Sequence, residues 1–330
     1  MQQGLRSVGI LGTGSYLPEK VLTNFDFEKM VDTSNEWIVS RTGIETRHVA
    51  HEEQATSDLS AEAAKRAMEA AGITAEDLDL IIVGTITPDH AFPSTACLVQ
   101  DLIGAKNAAA FDLSAACSGF LYGVNVAKQF IATGAYNNVL VIGAETMSRI
   151  LDYKDRNTCV LFGDGAGAVV LGPVEDGKGI LAMELGADGT GGKFLLQPAG
   201  GSRKPATIQS VEERLHYVRM EGSEVFKFAV RAMGGSSARA VDQAGLTLDD
   251  ISFLVPHQAN LRIISAAAKR LKLPLDKVQV NLNRFGNMSA ASIPVALDEA
   301  VRNGKINEGD NIVLVGFGGG LTWGSCVINW

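Results

Sequence analysis

Cys117 sits in the segment Asp112-Leu113-Ser114-Ala115-Ala116-Cys117-Ser118-Gly119-Phe120, among small residues and just ahead of Leu121, Val124, Ala127 and Ile131. That apolar run has helical spacing, which puts the thiol at the first turn of a buried helix. The positive end of the helix dipole and the unpaired N–H groups there favour thiolate over thiol. Small neighbours leave room for a substrate to reach the sulfur, so Cys117 is a candidate for covalent catalysis. A buried structural cysteine is the other reading, since free Cys packs as a small apolar residue. Two later segments bear on the choice. In Val255-Pro256-His257-Gln258-Ala259-Asn260, a strand-like run through Phe253, Leu254 and Val255 ends at a proline, and His257 follows in the loop. The carboxyl ends of strands are where α/β folds keep catalytic groups. In Asn283-Arg284-Phe285-Gly286-Asn287-Met288-Ser289-Ala290-Ala291-Ser292, a Gly/Asn turn leads into a helix near Ile293-Pro294. Alone, His257 reads as a hydrogen-bonded core residue and Asn287 as a helix cap. With Cys117 they form a Cys/His/Asn set carried on three separate segments.

An internal repeat supplies the elements that would bring these segments together. Ala71-Gly72-Ile73-Thr74-Ala75-Glu76-Asp77-Leu78 resembles Ala244-Gly245-Leu246-Thr247-Leu248-Asp249-Asp250-Ile251, at an offset of 173 residues. Asn138-Val139-Leu140-Val141-Ile142-Gly143 resembles Asn311-Ile312-Val313-Leu314-Val315-Gly316 at the same offset of 173. The helix after Cys117 falls at this offset over a helix from Ala291 to about Val301. Each half alternates strand and helix, which implies an α/β protein with helices on the faces of mixed sheets. The polar stretch from Gly172 to Gly179 is the expected junction, dividing the chain into residues 1–174, with the cysteine, and 175–330, with the histidine and asparagine. Cys117 then heads a helix in one half, and Asn287 lies near the equivalent helix start in the other.

Composition narrows the class. The chain has 330 residues, 46% of them hydrophobic, and 36 glycines, which suits a many-layered α/β core. Its four cysteines form no CxxC pair, so neither a metal site nor a disulfide framework is expected. A net charge of −8 argues against nucleic-acid binding. No apolar stretch is long enough to span a membrane, and Met1-Gln2-Gln3-Gly4 has no basic leader, so the expectation is a cytoplasmic protein. Gly12-Thr13-Gly14 is half of a dinucleotide-binding pattern, broken at Leu17. Arg262, Lys269 and Arg270 share one helical face just past His257, a basic patch suited to an acidic partner or to nothing beyond solvent. Pro198 to Arg214 reads as a surface loop.

The Cys/His/Asn segments also carry a resemblance. Together with Gly12-Thr13-Gly14-Ser15-Tyr16-Leu17-Pro18, Glu36-Trp37-Ile38-Val39, Arg41-Thr42-Gly43-Ile44, Phe162-Gly163-Asp164-Gly165-Ala166-Gly167-Ala168 and Gly316-Phe317-Gly318-Gly319-Gly320-Leu321-Thr322-Trp323-Gly324, the chain resembles the β-ketoacyl-acyl-carrier-protein synthase III family over nearly its whole length. The resemblance implies the thiolase fold, five layers α-β-α-β-α from two duplicated halves. It implies an acyltransferase that moves a short acyl group, acetyl or small branched, from coenzyme A to Cys117, then condenses it with malonyl-acyl carrier protein as carbon dioxide leaves. His257 and Asn287 would donate to the enolate, and the N–H groups of Cys117 and Gly319 to the acyl-transfer oxyanion. Elongating relatives carry a second His where Asn287 stands. Thr33, Trp37, Arg41, Arg156 and Ser223 would meet coenzyme A. Phe92, Met220 and Phe226 would line the acyl pocket, Phe92 reaching in from a homodimer partner. Gln258, Arg262, Lys269 and Arg270 would meet the carrier. The resemblance implies no cofactor and no metal. A thiolase-fold enzyme making a secondary-metabolite starter, and a silent condensing-enzyme subunit, are the rival readings.

Overall fold

The structure, a computed structural model, describes residues 4–330. It opens with β1 (Val8–Tyr16), β2 (Lys20–Thr23), α1 (Asn24–Glu28), α2 (Asn35–Thr42), β3 (Thr46–Val49) and α3 (Thr56–Ala71). There follow β4 (Leu80–Gly84), α4 (Thr95–Ile103), β5 (Ala109–Leu113), α5 (Gly119–Ala132), β6 (Val139–Thr146) and β7 (Asp164–Pro173). The second half runs β8 (Gly179–Ala187), β9 (Leu195–Leu196), α6 (Ile208–Glu212), β10 (Arg219–Met220), α7 (Gly222–Gln243) and β11 (Phe253–Pro256). It ends with α8 (Leu261–Arg270), α9 (Leu282–Phe285), α10 (Ser292–Arg302), β12 (Asn311–Gly318) and β13 (Thr322–Asn329).

One sheet has the order β1-β7-β6-β4-β5, the other β8-β13-β12-β11. The steps β6–β4, β4–β5 and β12–β11 are parallel, and the remaining steps of both sheets are antiparallel. The second sheet stops a strand short: a single bridge between Leu254 and Val278 stands where a partner equivalent to β5 would pair. β4 and β6 are buried along their whole length because helices cover both faces of their sheet. On the outside, Leu59, Ala63 and Ala67 of α3 and Val99 of α4 pack on Ile81, Ile142 and Val170. Between the sheets, Phe120, Leu121 and Val124 of α5 and Ile293 and Leu297 of α10 meet Ile82 and Val141 on one side and Val255 and Leu314 on the other. Ala229 and Met233 of α7 and Ile263 and Ile264 of α8 cover the far face, against Leu254 and Val313. These are the five layers expected.

The 173-residue repeat extends to local geometry. Thr74 and Thr247 each open a tight turn in which the threonine N–H donates to an aspartate three residues on, both at 2.8 Å. Ala116 and Ser289 both have φ of +47° and begin the turns that lead into α5 and α10. Glycines at the end of β4 and within β6 let those central helices start against the first sheet. A Cβ on Gly84 would lie 2.7 Å from the Gly119 carbonyl carbon, and one on Gly143 2.2 Å from the Ala290 oxygen. The stretch expected to be loop from Pro198 to Arg214 carries α6, capped by Thr207, whose hydroxyl accepts from the Ser210 N–H at 3.0 Å. Cys326 is buried in β13.

Candidate active site

Cys117 is 5% exposed, in the turn ahead of α5. The β12–β13 hairpin of the other half presses on this turn. A Cβ on Gly318 would lie 2.6 Å from the Cys117 nitrogen, and Thr322 Oγ1 donates to the Ala115 carbonyl at 3.0 Å. Burial pushes the thiol up to about 12, opposed chiefly by the Ser289 hydroxyl. This corrects the direction expected from the helix start: losing water around the sulfur outweighs the dipole.

His257 extends the β11–β12 pairing by one residue, its N–H donating to the Val315 carbonyl at 2.7 Å. The imidazole is fully buried and meets Phe317 edge-on at 5.4 Å. Among the described residues neither ring nitrogen has a hydrogen-bond partner. Burial pushes the ring down to about 3, so near neutral pH it is an imidazole with one donor and one acceptor. The asparagine is held by the backbone on either side of Phe162: its N–H donates to the Leu161 carbonyl at 2.9 Å, and its carbonyl accepts from the Gly163 N–H at 3.0 Å. Asn287 Oδ1 accepts from the Ser289 N–H at 2.9 Å, which leaves Nδ2 uncommitted among the described residues.

Two cavities meet at Cys117. One, of about 100 Å³, unites Cys117, His257 and Asn287 with Met220, Phe226 and Asn260. The other, of about 350 Å³, joins Cys117, Ser289 and Gly319 to Ile86, Met147, Phe162 and Val218. The three candidate residues, distant in sequence, therefore face one space.

The remaining expected residues divide. Two guanidinium groups pack over the Trp37 ring, Arg41 at 4.7 Å and Arg156 at 5.3 Å from its centre. Arg156 also donates to the Asp32 carbonyl at 2.7 Å. Thr33 is close in sequence, but its hydroxyl is shielded and unpartnered among the described residues. Ser223 is exposed in the first turn of α7, beside the cavity-lining Gly222. The expected acyl-pocket trio does not assemble in the single chain. Phe92 is 86% exposed and lines neither cavity, whereas Met220 and Phe226 stand with His257, because α7 begins against the His257 loop. Arg262 stacks over Phe226 at 5.1 Å, while Lys269 and Arg270 line a separate groove with Arg231. Gln258 is corrected outright as a carrier contact. Its side chain is fully buried and spent on the Pro256 and Gln279 carbonyls and the Asn281 N–H, at 2.8, 3.0 and 3.0 Å.

Three residues at the site were not singled out from sequence. Asn260 caps α8 and donates to the Arg41 carbonyl at 2.8 Å, tying α2 to the cavity. Ser289 and Glu145 hydrogen bond at 2.8 Å next to Cys117. Their signals were present: an acid closing the apolar run of β6, and a serine one repeat away from Ala116.

The family described as 3-oxoacyl-[acyl-carrier-protein (ACP)] synthase III matches residues 111–189, and its C-terminal counterpart matches residues 241–330. The chain is 64% identical to a β-ketoacyl-[acyl-carrier-protein] synthase III of Caldanaerobacter subterraneus subsp. tengcongensis, over 98% of each chain. A counterpart in Clostridioides difficile is 63% identical, again over 98% of both. The crystal structure of 3-oxoacyl-[acyl-carrier-protein] synthase III from Aquifex aeolicus superposes with a TM-score of 0.91 at 49% identity, covering 98% of this chain and 100% of that one.

Proposed function

Because the chain belongs to the β-ketoacyl-acyl-carrier-protein synthase III family, we propose that Cys117, His257 and Asn287 share out the steps of the condensation that starts fatty-acid synthesis. The fold is the thiolase fold, and the enzyme is an acyltransferase that joins an acyl-coenzyme A to malonyl-acyl carrier protein. The observation that supports this assignment of residues is the one cavity faced by all three.

In this reading Cys117 Sγ attacks the acyl thioester and releases coenzyme A. The oxyanion is met by the N–H groups of Cys117 and Gly319, which border the larger cavity. That cavity's apolar wall takes the acyl chain. Malonyl thioester then enters beside His257, and loss of carbon dioxide leaves an enolate. Neutral His257 donates one N–H and Asn287 donates Nδ2 to its oxygen. The carbanion attacks the acyl-Cys117 thioester and expels the Cys117 thiolate, which takes up one proton from solvent to restore the thiol. Decarboxylation supplies the carbanion, so the chemistry calls for no resident cofactor. Trp37, Arg41 and Arg156 hold the nucleotide end of coenzyme A, with Arg156 swinging off Trp37 to admit the adenine. Lys269 and Arg270 meet the acidic carrier, and Phe92 of a second copy closes the acyl pocket of a homodimer. The halves divide at 174/175. No helix among the described residues is long and apolar enough to cross a membrane, and we place the enzyme in the cytoplasm.

Intact-protein mass spectrometry after mixing with acetyl-, isobutyryl- or octanoyl-coenzyme A tests the assignment. The expected result is a mass gain equal to the acyl group that Cys117→Ala abolishes. An adduct that survives in Cys117→Ala would remove the cysteine from the mechanism.

A further inference from the structure

Glu145 is a buried acid that the condensation as described leaves unused. It is fully enclosed near the end of β6, and its neighbours are donors: Thr87 Oγ1 at 2.6 Å, Ser289 Oγ at 2.8 Å, and Thr85 Oγ1 and the Ile86 N–H at 3.1 Å. Such a shell suits a carboxylate, which only accepts. A buried charge without a cation is costly, and a neutral amide could tie these segments together at less expense. The ionisable group facing Glu145 is Cys117, and the rest of its shell is the Thr85, Thr87 and Ser289 hydroxyls and the Ile86 N–H. Ser289 stands between acid and thiol. Its hydroxyl donates to Glu145, it borders the larger cavity with Cys117, and it is the side chain that most opposes the rise of the thiol's pKa. His257 does not serve the thiol in this geometry, since both ring nitrogens are unpartnered among the described residues.

We infer that Ser289 and Glu145 form a proton-accepting arm for Cys117: the thiol proton passes to Ser289 Oγ as the Ser289 proton passes to Glu145 Oε1. The inference rests on the reading that Cys117 takes the acyl group. The thiolate's electron pair forms the bond to the acyl carbon, and the carbon–sulfur bond to coenzyme A breaks with its pair on the departing sulfur. That thiolate recovers the proton from Glu145 through Ser289, so protons and charge balance across the transfer. The enclosed site carries one negative charge throughout, on Glu145, on sulfur or on the acyl oxyanion, so no second buried charge is created. Burial lifts Glu145 to about 7, which makes it a stronger base than a surface carboxylate. Glu145 acts through Ser289 and is a positioning residue for the proton; Ser289 lines the larger cavity beside the reacting sulfur.

Ser289→Ala and Glu145→Gln test the arm. Alanine already occupies the matching turn at Ala116 with the same φ of +47°, so Ser289→Ala keeps the backbone and the N–H that holds Asn287. Alkylation of Cys117 by iodoacetamide would be followed from about pH 6 to about pH 9.5, beside acylation by acetyl-coenzyme A. Wild type should reach a plateau above about pH 7, where Glu145 has ionised and the pair shares the remaining proton. Both variants should lose the plateau, alkylate about tenfold faster per pH unit, and acylate about 100-fold more slowly at pH 7. Loss of a merely structural tie would lower the Tm without moving the plateau. A wild type without a plateau, or variants that keep it and acylate within about threefold of wild type, would overturn the arm. Alkylation needs no acyl donor. A wild type that shows the plateau yet takes no acyl group would therefore fault the acyl-transfer reading and still support the arm.

Discussion

At the scale of single residues, the site is set by how burial acts on each group. His257 has no partner for either ring nitrogen among the described residues, so its donor is available to a ligand, and desolvation keeps it neutral. His257→Ala and Asn287→Ala should each slow carbon dioxide release from malonyl-acyl carrier protein about 100-fold or more, while Cys117 acylation stays within about tenfold of wild type. Equal loss in both steps would deny them a separate role. The same burial shapes stability against pH. His257 is lowered from 6.5 to about 3, so below 6.5 the unfolded chain takes up a proton that the folded one refuses. Stability therefore falls as pH drops from 6.5 toward 3, by about 2 kcal/mol from this group at pH 5. Glu145, raised from 4.5 to about 7, has the opposite sign: its share is fully present below 4.5 and is lost as pH rises through 7. Urea titrations at pH 5 and pH 8 isolate the histidine. Acidification should cost His257→Gln about 2 kcal/mol less than wild type, and an equal cost would mean that His257 titrates normally.

At the scale of elements, repeated pieces place unlike chemistry. The turns before α5 and α10 share a backbone, yet one presents Cys117 and the other Ser289, with Asn287 just ahead of it. α8 shows how far helical periodicity reaches. The spacing of Arg262, Lys269 and Arg270 puts all three on the exposed face, as observed. It does not show that Arg262 belongs to the mouth beside Phe226 while the other two face α7 across a groove. That division makes the proposed carrier patch separable from the chemistry. Lys269→Glu combined with Arg270→Glu should raise KM for malonyl-acyl carrier protein about tenfold and blunt its dependence on salt, with acyl transfer from acyl-coenzyme A unchanged. A matching loss of acyl transfer would show damage to the site rather than to docking. Gln258 marks the limit of reading contacts from a motif, because its place next to His257 says nothing of which way its side chain turns.

At the scale of the whole molecule, Phe92 is a residue a single chain leaves unexplained: a large ring, 86% exposed, on the loop between β4 and α4. The homodimer we propose would bury it. Light scattering should give twice the chain mass, and Phe92→Ala should admit acyl-coenzyme A primers longer than wild type accepts. A monomeric protein, or an unchanged primer range, would contradict that placement. The amino-acid sequence alone determined the duplication, the alternation of strand and helix and the helix after Cys117, because periodicity, turn residues and local spacing are properties of neighbouring positions; the layer order and the choice of Cys117, His257 and Asn287 as a set came with the family resemblance. Tertiary structure alone decided the rest. It set the thiol's rise to about 12, the neutral histidine, the Glu145–Ser289 pair beside Cys117, and the separation of Met220 and Phe226 from the larger cavity. Each depends on how much water remains around a group and on which distant segments surround it, and both are fixed only when the two halves close on α5 and α10.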